Sequence, residues 1–136
     1  MTASSDLALG RIGQILIPVT DVERATAFYR DVLRLPFLFA FPGNAFFDAA
    51  GIRLYLAQPE EPGFSGIATI YFRVTGLDDA VAMLEQRGAI FFSRPHVVFR
   101  DPRYTLWMAF LHDPDGNNIG LMEEVPVVPA TGPGTG

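Results

Sequence analysis

Residues 13–56 and 68–122 run through the same order of elements twice, and that internal repeat constrains the fold more than any other property of the 136-residue chain. From Gly13 to Val19, Ile15, Ile17 and Val19 fall on one face and Gln14, Leu16 and Pro18 on the other, as in a strand with unlike faces. Thr20-Asp21-Val22-Glu23 then has the spacing of a capping box, which predicts a helix start. Val22, Ala25, Phe28, Tyr29, Val32 and Leu33 recur at three- and four-residue steps, and Pro36 ends the helix near Arg34. Three strands follow: Pro36–Phe41, Ala45–Ala49 after the Pro42-Gly43-Asn44 turn, and a run from Ile52 in which Leu54 and Leu56 alternate with Arg53 and Tyr55.

Beyond a Pro-, Glu- and Gly-rich linker from Gln58 to Gly66 the pattern restarts. Ala68, Ile70, Phe72 and Val74 alternate with Thr69, Tyr71 and Arg73; Leu77, Ala80, Val81 and Leu84 form a helical stripe closed by Gly88. Strands are expected over Ala89–Ser93, Pro95–Phe99, Thr105–Leu111 and Asn118–Met122. A shift of 55 positions lays Val19 on Val74, Thr20 on Thr75, Ala25 on Ala80 and Ala27 on Ala82. Element order and polarity carry the duplication better than these inexpensive identities. The fold class is therefore α+β, two tandem β-α-β-β-β units. One domain is expected over 11–125 (units about 11–58 and 67–125), after an N-terminal extension, 1–10, and before a flexible tail, 126–136, whose Pro126, Pro129 and Pro133 sit among Gly and Thr.

Composition narrows the function classes. A net charge of −5 opposes nucleic-acid binding, which demands a basic surface. No apolar run approaches the roughly 20 residues of a membrane span, and Met1 to Gly10 has no signal-peptide pattern. A cytoplasmic location is the expectation. Without cysteine there is no thiolate nucleophile, disulfide or Cys-ligated zinc, and no Gly-x-Ser-x-Gly elbow occurs. Twelve Phe exceed what two helices over eight strands require, leaving aromatic surface for a pocket or a dimer contact.

The most specific local motif is Asp113-Pro114-Asp115-Gly116-Asn117. Pro114 presets φ, the Asp side chains reach nearby backbone amides, and Gly116 tolerates φ > 0. With two β-α-β-β-β units, a first helix ending Phe28-Tyr29-Arg30-Asp31-Val32-Leu33-Arg34-Leu35 and this turn before the last strand, the chain resembles the vicinal oxygen chelate superfamily over Ile12 to Val125. That group includes glyoxalase I, extradiol dioxygenases, fosfomycin-resistance enzymes and bleomycin-binding proteins. Pro95-His96-Val97-Val98 and the Leu106–Phe110 strand are similar to its small glyoxalase-like members. The resemblance implies a concave, mostly antiparallel eight-stranded cradle, completed by pairing of halves or chains, hence a homodimer.

The resemblance also implies where a metal would be held: on the first and last strand of each unit, which in this chain means Gln14, Tyr55, Thr69 and Gly120. Only Gln14 is a donor the family uses. Neutral amide, hydroxyl and phenol oxygens suit a divalent ion poorly, so the expectation is no metal and no other cofactor. The faces opposite the helices carry Gln14, Arg53, Tyr55, Thr69, Tyr71 and Arg73, which converge on one concavity if the units pair as in the family; Trp107 and Met122 are added as wall residues. Each has a plainer reading: Gln14 as an ordinary polar strand residue, Arg53 and Arg73 as solvated cations paired with carboxylates, Trp107 and Met122 as core. His96 is a candidate proton-transfer group beside Gln14, against a structural histidine at a strand start; His112 reads as a surface or turn residue.

Two functions remain open. One is a metal-free cradle that binds a small aromatic or anionic molecule. The alternative is a glyoxalase-like lyase, isomerase or dioxygenase-type enzyme whose divalent metal uses ligands not placed above.

Overall fold

A computed structural model describes residues 7–59 and 66–127. The expected flexible tail lies outside the described residues from 128 onward, as does most of the N-terminal extension. Unit one consists of β1 (Gln14–Pro18), α1 (Val22–Ala27), β2 (Phe37–Phe41), β3 (Asn44–Ala49) and β4 (Ile52–Ala57); unit two of β5 (Thr69–Arg73), α2 (Leu77–Gln86), β6 (Phe91–Arg100), β7 (Tyr104–His112) and β8 (Asn118–Pro126). Each unit forms its own four-stranded mixed sheet, ordered β1-β4-β3-β2 and β5-β8-β7-β6. The first strand of each runs parallel to the last, and the other pairs are antiparallel.

The repeat is visible in single hydrogen bonds. Just beyond β1, Val19 N donates to Ala57 O at 2.9 Å; just beyond β5, Val74 N donates to Met122 O at 2.9 Å. The first strands are thus offset by the 55 positions seen in the sequence, and the longer β6 and β7 move the last strands further apart.

Alternation decides which side chains enter the core. Ile17, Ala45, Phe47, Leu54 and Leu56 face α1, and Ala109, Leu111, Ile119 and Leu121 face α2 with Leu77, Val81 and Leu84; all belong to one continuous buried cluster that also takes in Val22, Ala25 and Tyr29. Burial of this apolar area is the main stabilising term.

Three local expectations change. The capping box does not form: Asp21 is the N-cap, accepting from Arg24 N at 3.0 Å. Thr20 turns instead toward unit two, its backbone N donating to Asp115 Oδ1 at 2.8 Å, so a tertiary acceptor outcompetes the local one. The two strands expected at 89–99 are one strand, β6, that continues through Pro95 with register irregularities on either side. β6 is an edge strand, and there a residue without N–H leaves no ladder bond unmade. Finally, α1 widens into a π-helical turn over Phe28–Val32, with Leu33 N donating to Phe28 O at 3.1 Å.

The widened turn delivers Tyr29 to the other unit. Its hydroxyl donates to Asp113 Oδ2 at 2.8 Å. Asp113 Oδ1 accepts from the backbone N of Asp115 (2.8 Å) and of Asn117 (2.9 Å), as the sequence predicts for this turn. Asn117, 1% exposed, extends the junction in both directions: Nδ2 donates to Pro18 O at 2.9 Å and to Asp113 Oδ2 at 2.8 Å, while Oδ1 accepts from Ala68 N at 2.7 Å. At the opposite ends of the helices Arg87 Nη1 donates to Val32 O at 3.0 Å. The family-like turn is therefore the polar joint between the two units: both Asp113 oxygens and Asp115 Oδ1 are engaged, while Asp115 Oδ2 is buried with no hydrogen-bond partner among the described residues.

Candidate ligand site: two aromatic half-cradles

The faces turned away from the helices carry the residues expected at a site, in two groups. On the first sheet Gln14 stands opposite Arg53, and Leu16 opposite Tyr55, in the β1/β4 register. Arg53 Nη1 donates weakly to Gln14 Oε1 at 3.5 Å, and the Tyr55 hydroxyl donates to Asn44 Oδ1 at 2.6 Å. Tyr55, Phe46 and Phe39 are cross-strand neighbours on β4, β3 and β2. Their rings stack with centroids 4.6 and 4.5 Å apart and interplanar angles of 3° and 25°. This matches the spacing of neighbouring strands, so the rings stand side by side with their faces against one another and their edges outward. Phe41, two residues along β2, flanks the row, 6.3 Å from Phe39 and 5.7 Å from Phe46. The Arg53 guanidinium lies 5.9 and 5.8 Å from the Phe39 and Phe46 ring centres.

On the second sheet Thr69 accepts from Asn118 Nδ2 at 2.9 Å, Tyr71 packs edge-on to Phe110 at 5.8 Å, and Arg73 pairs with Glu124 at 3.3 Å. Met122 is the register partner of Arg73 on one side and of Met108 on the other. Phe92 stacks on Phe110 at 6.0 Å and on His112 at 4.2 Å. Among the described residues no hydrogen bond, ion pair or ring contact joins the first group to the second. Both faces stay open, with Phe39 44%, Tyr71 50% and Phe92 54% exposed.

Trp107 does not join either group. It pairs with Glu123 in the β7/β8 register and shares the parity of Ala109 and Leu121, which puts it on the α2 face, beside the start of that helix. There Glu123 caps α2, Oε1 accepting from Leu77 N at 2.8 Å and Oε2 from Gly76 N at 2.9 Å; these two bonds hold its carboxyl below the usual range. His96 is exposed on β6, and its Nδ1 donates to Arg94 O at 2.8 Å, a local bond of the edge strand. Gln14 and His96 share no contact that would make them one catalytic unit. The ring row of Phe39 and Phe46, with Asn44, went unassigned in the sequence; its signal is the alternation Phe37, Phe39, Phe41 along β2 facing an aromatic at 46.

A metal of the family type does not fit these residues. The β5/β8 register places Gly120 opposite Tyr71, the counterpart of Tyr55 opposite Leu16. Gly120 is no empty pocket: a Cβ added there would lie 2.7 Å from Tyr71 Cδ2 and 2.9 Å from Phe110 Cε1. The two units have exchanged sizes, Leu16 with Tyr55 in one and Tyr71 with Gly120 in the other. Gln14, Tyr55 and Thr69 offer only neutral oxygens, already hydrogen-bonded, and among the described residues no group of three or more His, Asp or Glu is arranged to hold an ion.

The profile of the Glyoxalase/Bleomycin resistance protein/Dioxygenase superfamily matches residues 11–121, and the chain belongs to that superfamily. Similar solved structures include a lactoylglutathione lyase from Agrobacterium tumefaciens, 21% identical with a TM-score of 0.72 over 85% of this chain and 95% of that one. A superfamily member from Sphaerobacter thermophilus is 25% identical, TM-score 0.72, over 87% and 100%. An antibiotic-binding protein from Streptomyces, TnmS3, is also 25% identical, TM-score 0.70, over 87% and 98%. A search of curated proteins gave no match. No helix among the described residues is long and apolar enough to cross a membrane.

Proposed function

We propose that this protein binds a small organic molecule in its cradle without a metal, and that a second copy of the chain supplies the facing half. The observation that carries the reading is the packing over Gly120, where Tyr71 and Phe110 fill the space that a ligating side chain needs. The likeness to an antibiotic-binding protein supports it. The exposed aromatic side chains of both sheets support dimerisation, since a contiguous apolar surface of this kind marks an interaction site.

Metal analysis of protein purified without chelator tests the first part. The expected result is less than 0.1 equivalent (about one ion per ten chains, on the order of carry-over) of any divalent metal, and an unchanged melting temperature in EDTA. Stoichiometric Ni, Zn, Mn or Fe that is lost on Gln14→Ala would overturn it. Sedimentation equilibrium tests the second part, a monomer at all concentrations being the adverse result.

A further inference from the structure

We infer that the ligand is a planar aromatic acid, held by the first sheet through the edges of the Phe39 and Tyr55 rings and the Arg53 guanidinium. The inference rests on the cradle being a ligand site and names the class of molecule it takes.

Two features of the first sheet point to that class. Because the three rings are stacked on one another, what they offer outward is ring edge, the positive rim of the aromatic quadrupole: that of Phe39, 44% exposed, and of the half-buried Tyr55, with the buried Phe46 packed between them. The complement of such edges is the negative face of a flat π system lying across them, in edge-to-face contact with Phe39 and Tyr55. An aliphatic chain would gain only its buried area. The rings are also fixed in place: Phe46 is wedged between its neighbours, and Tyr55 is tied to Asn44 through its hydroxyl, which is thereby committed as a donor and offers the ligand no proton.

The second feature is the charge. Of the two guanidiniums on the half-cradles, Arg73 is neutralised by Glu124 at 3.3 Å, whereas Arg53 has no ion-pair partner among the described residues. Its register neighbour on β3, Asp48, uses Oδ1 to accept from Gly51 N at 3.0 Å. What Arg53 has is the 3.5 Å contact to Gln14 and a place beside the ring stack, 5.9 and 5.8 Å from the Phe39 and Phe46 centres. A guanidinium beside the rings, without an ion-pair partner, can donate to a carboxylate in bidentate fashion, and the Gln14 amide can add a donor to the same group. An arene and its acid substituent are thus recognised side by side, by the ring edges and by Arg53.

The experiment uses the full chain and three probes: 2-naphthoic acid, the uncharged 2-naphthylmethanol, and decanoic acid, an acid with no arene. Binding is read by calorimetry, with Arg53→Met, Phe39→Leu and Arg73→Gln variants checked for native far-ultraviolet dichroism. Naphthoic acid is expected to bind about tenfold or more tightly than the alcohol and than decanoic acid, the scale of one charge-assisted contact. Arg53→Met removes the preference for acid over alcohol, Phe39→Leu weakens both arenes, and Arg73→Gln, at a charge already paired with Glu124, keeps the preference for acid over alcohol. Equal binding of acid and alcohol, or loss of the preference in Arg73→Gln instead, overturns the assignment. So does a Phe39→Leu protein that becomes monomeric yet keeps its affinity for the arenes, which would make the ring row a subunit contact. If all three probes fail while a small molecule that is not an aromatic acid binds and is lost on Tyr71→Ala, the ligand class is wrong and the binding function stands; stoichiometric metal would instead strike the function itself.

Discussion

The hydroxyl of Tyr29, on the first helix, donates to Oδ2 of Asp113, in the turn before the last strand, and both side chains are buried. Burial, reinforced by the Asp113 charge and by this hydrogen bond, pushes the Tyr29 hydroxyl well above its ordinary value of 10.0, so it stays a donor at every physiological pH. Removing the hydroxyl in Tyr29→Phe leaves a buried carboxylate oxygen with Asn117 as its remaining partner. Urea unfolding is expected to show a loss of about 1–3 kcal/mol. The raised value means that the contribution is complete below about pH 10 and declines as pH climbs beyond it, because the unfolded chain then ionises first. The wild type should lose stability above that pH more steeply than Tyr29→Phe; parallel alkaline limbs would count against the bond.

Gly120 admits no side chain while Tyr71 lies over it. Gly120→Ala is predicted to lower stability by about 1–3 kcal/mol, the range for overpacking a filled site. Gly120→Ala combined with Tyr71→Leu, which makes unit two resemble unit one at the first-strand position, should recover part of the loss through a favourable coupling, Phe110 remaining close to the new methyl. Strict additivity of the two changes in thermal denaturation would show that the rings are not the obstacle. Gly120→Glu alone should create no tight metal site, since Tyr55 and Thr69 remain poor donors.

The Glu123 carboxylate does for α2 what a side-chain N-cap does elsewhere, because the N-cap residue itself is Gly76. Glu123→Gln should cost about 1 kcal/mol. As the folded carboxyl is held below its ordinary 4.5, its contribution is present above that pH and disappears as pH falls through the folded value. Acid titration of stability should therefore be flatter in Glu123→Gln than in the wild type, and an identical acid limb would dismiss the cap.

The β3–β4 hairpin turns on two residues, Ala50 at φ 52° and Gly51 at φ 96°. Both central positions of such a turn need positive φ, which alanine adopts at a cost of about 1 kcal/mol. Ala50→Asn is expected to raise stability by about that amount, read as a higher urea midpoint at constant m. A lower midpoint would mean that the Ala50 methyl makes a contact worth more than the strain.

The sequence reveals the fold because the repeat is written in alternation: Ile15 and Ile17, Ile52 and Leu54, Ile70 and Phe72 all face helices as their parity requires. It also reveals Gln14, Arg53, Tyr55, Thr69, Tyr71 and Arg73 as one-sided. It conceals the rest for physical reasons. Thr20 has two possible acceptors, Glu23's segment close by and Asp115 far along the chain, and local spacing registers only the first. Trp107 reads as a wall residue because an exposed indole suggests a ligand, whereas its register with Glu123 assigns it to the helix side. The ring row of Phe39, Phe46 and Tyr55 spans three strands, and that adjacency exists only once the strands are paired.

The traded sizes at Leu16, Tyr55, Tyr71 and Gly120 bear on the history of a duplicated chain as well as on its packing. Each half tolerates one aromatic at this crossing, on either strand, but not two. A chain with Tyr71 and Gly120 cannot gain a carboxylate at 120 in a single step, since the newcomer meets the rings of Tyr71 and Phe110 first. A ring must leave first, through an intermediate that has lost packing and gained no ligand. The arrangement therefore constrains order: which substitution comes first, more than how many there are, decides whether a carboxylate can be placed at 120.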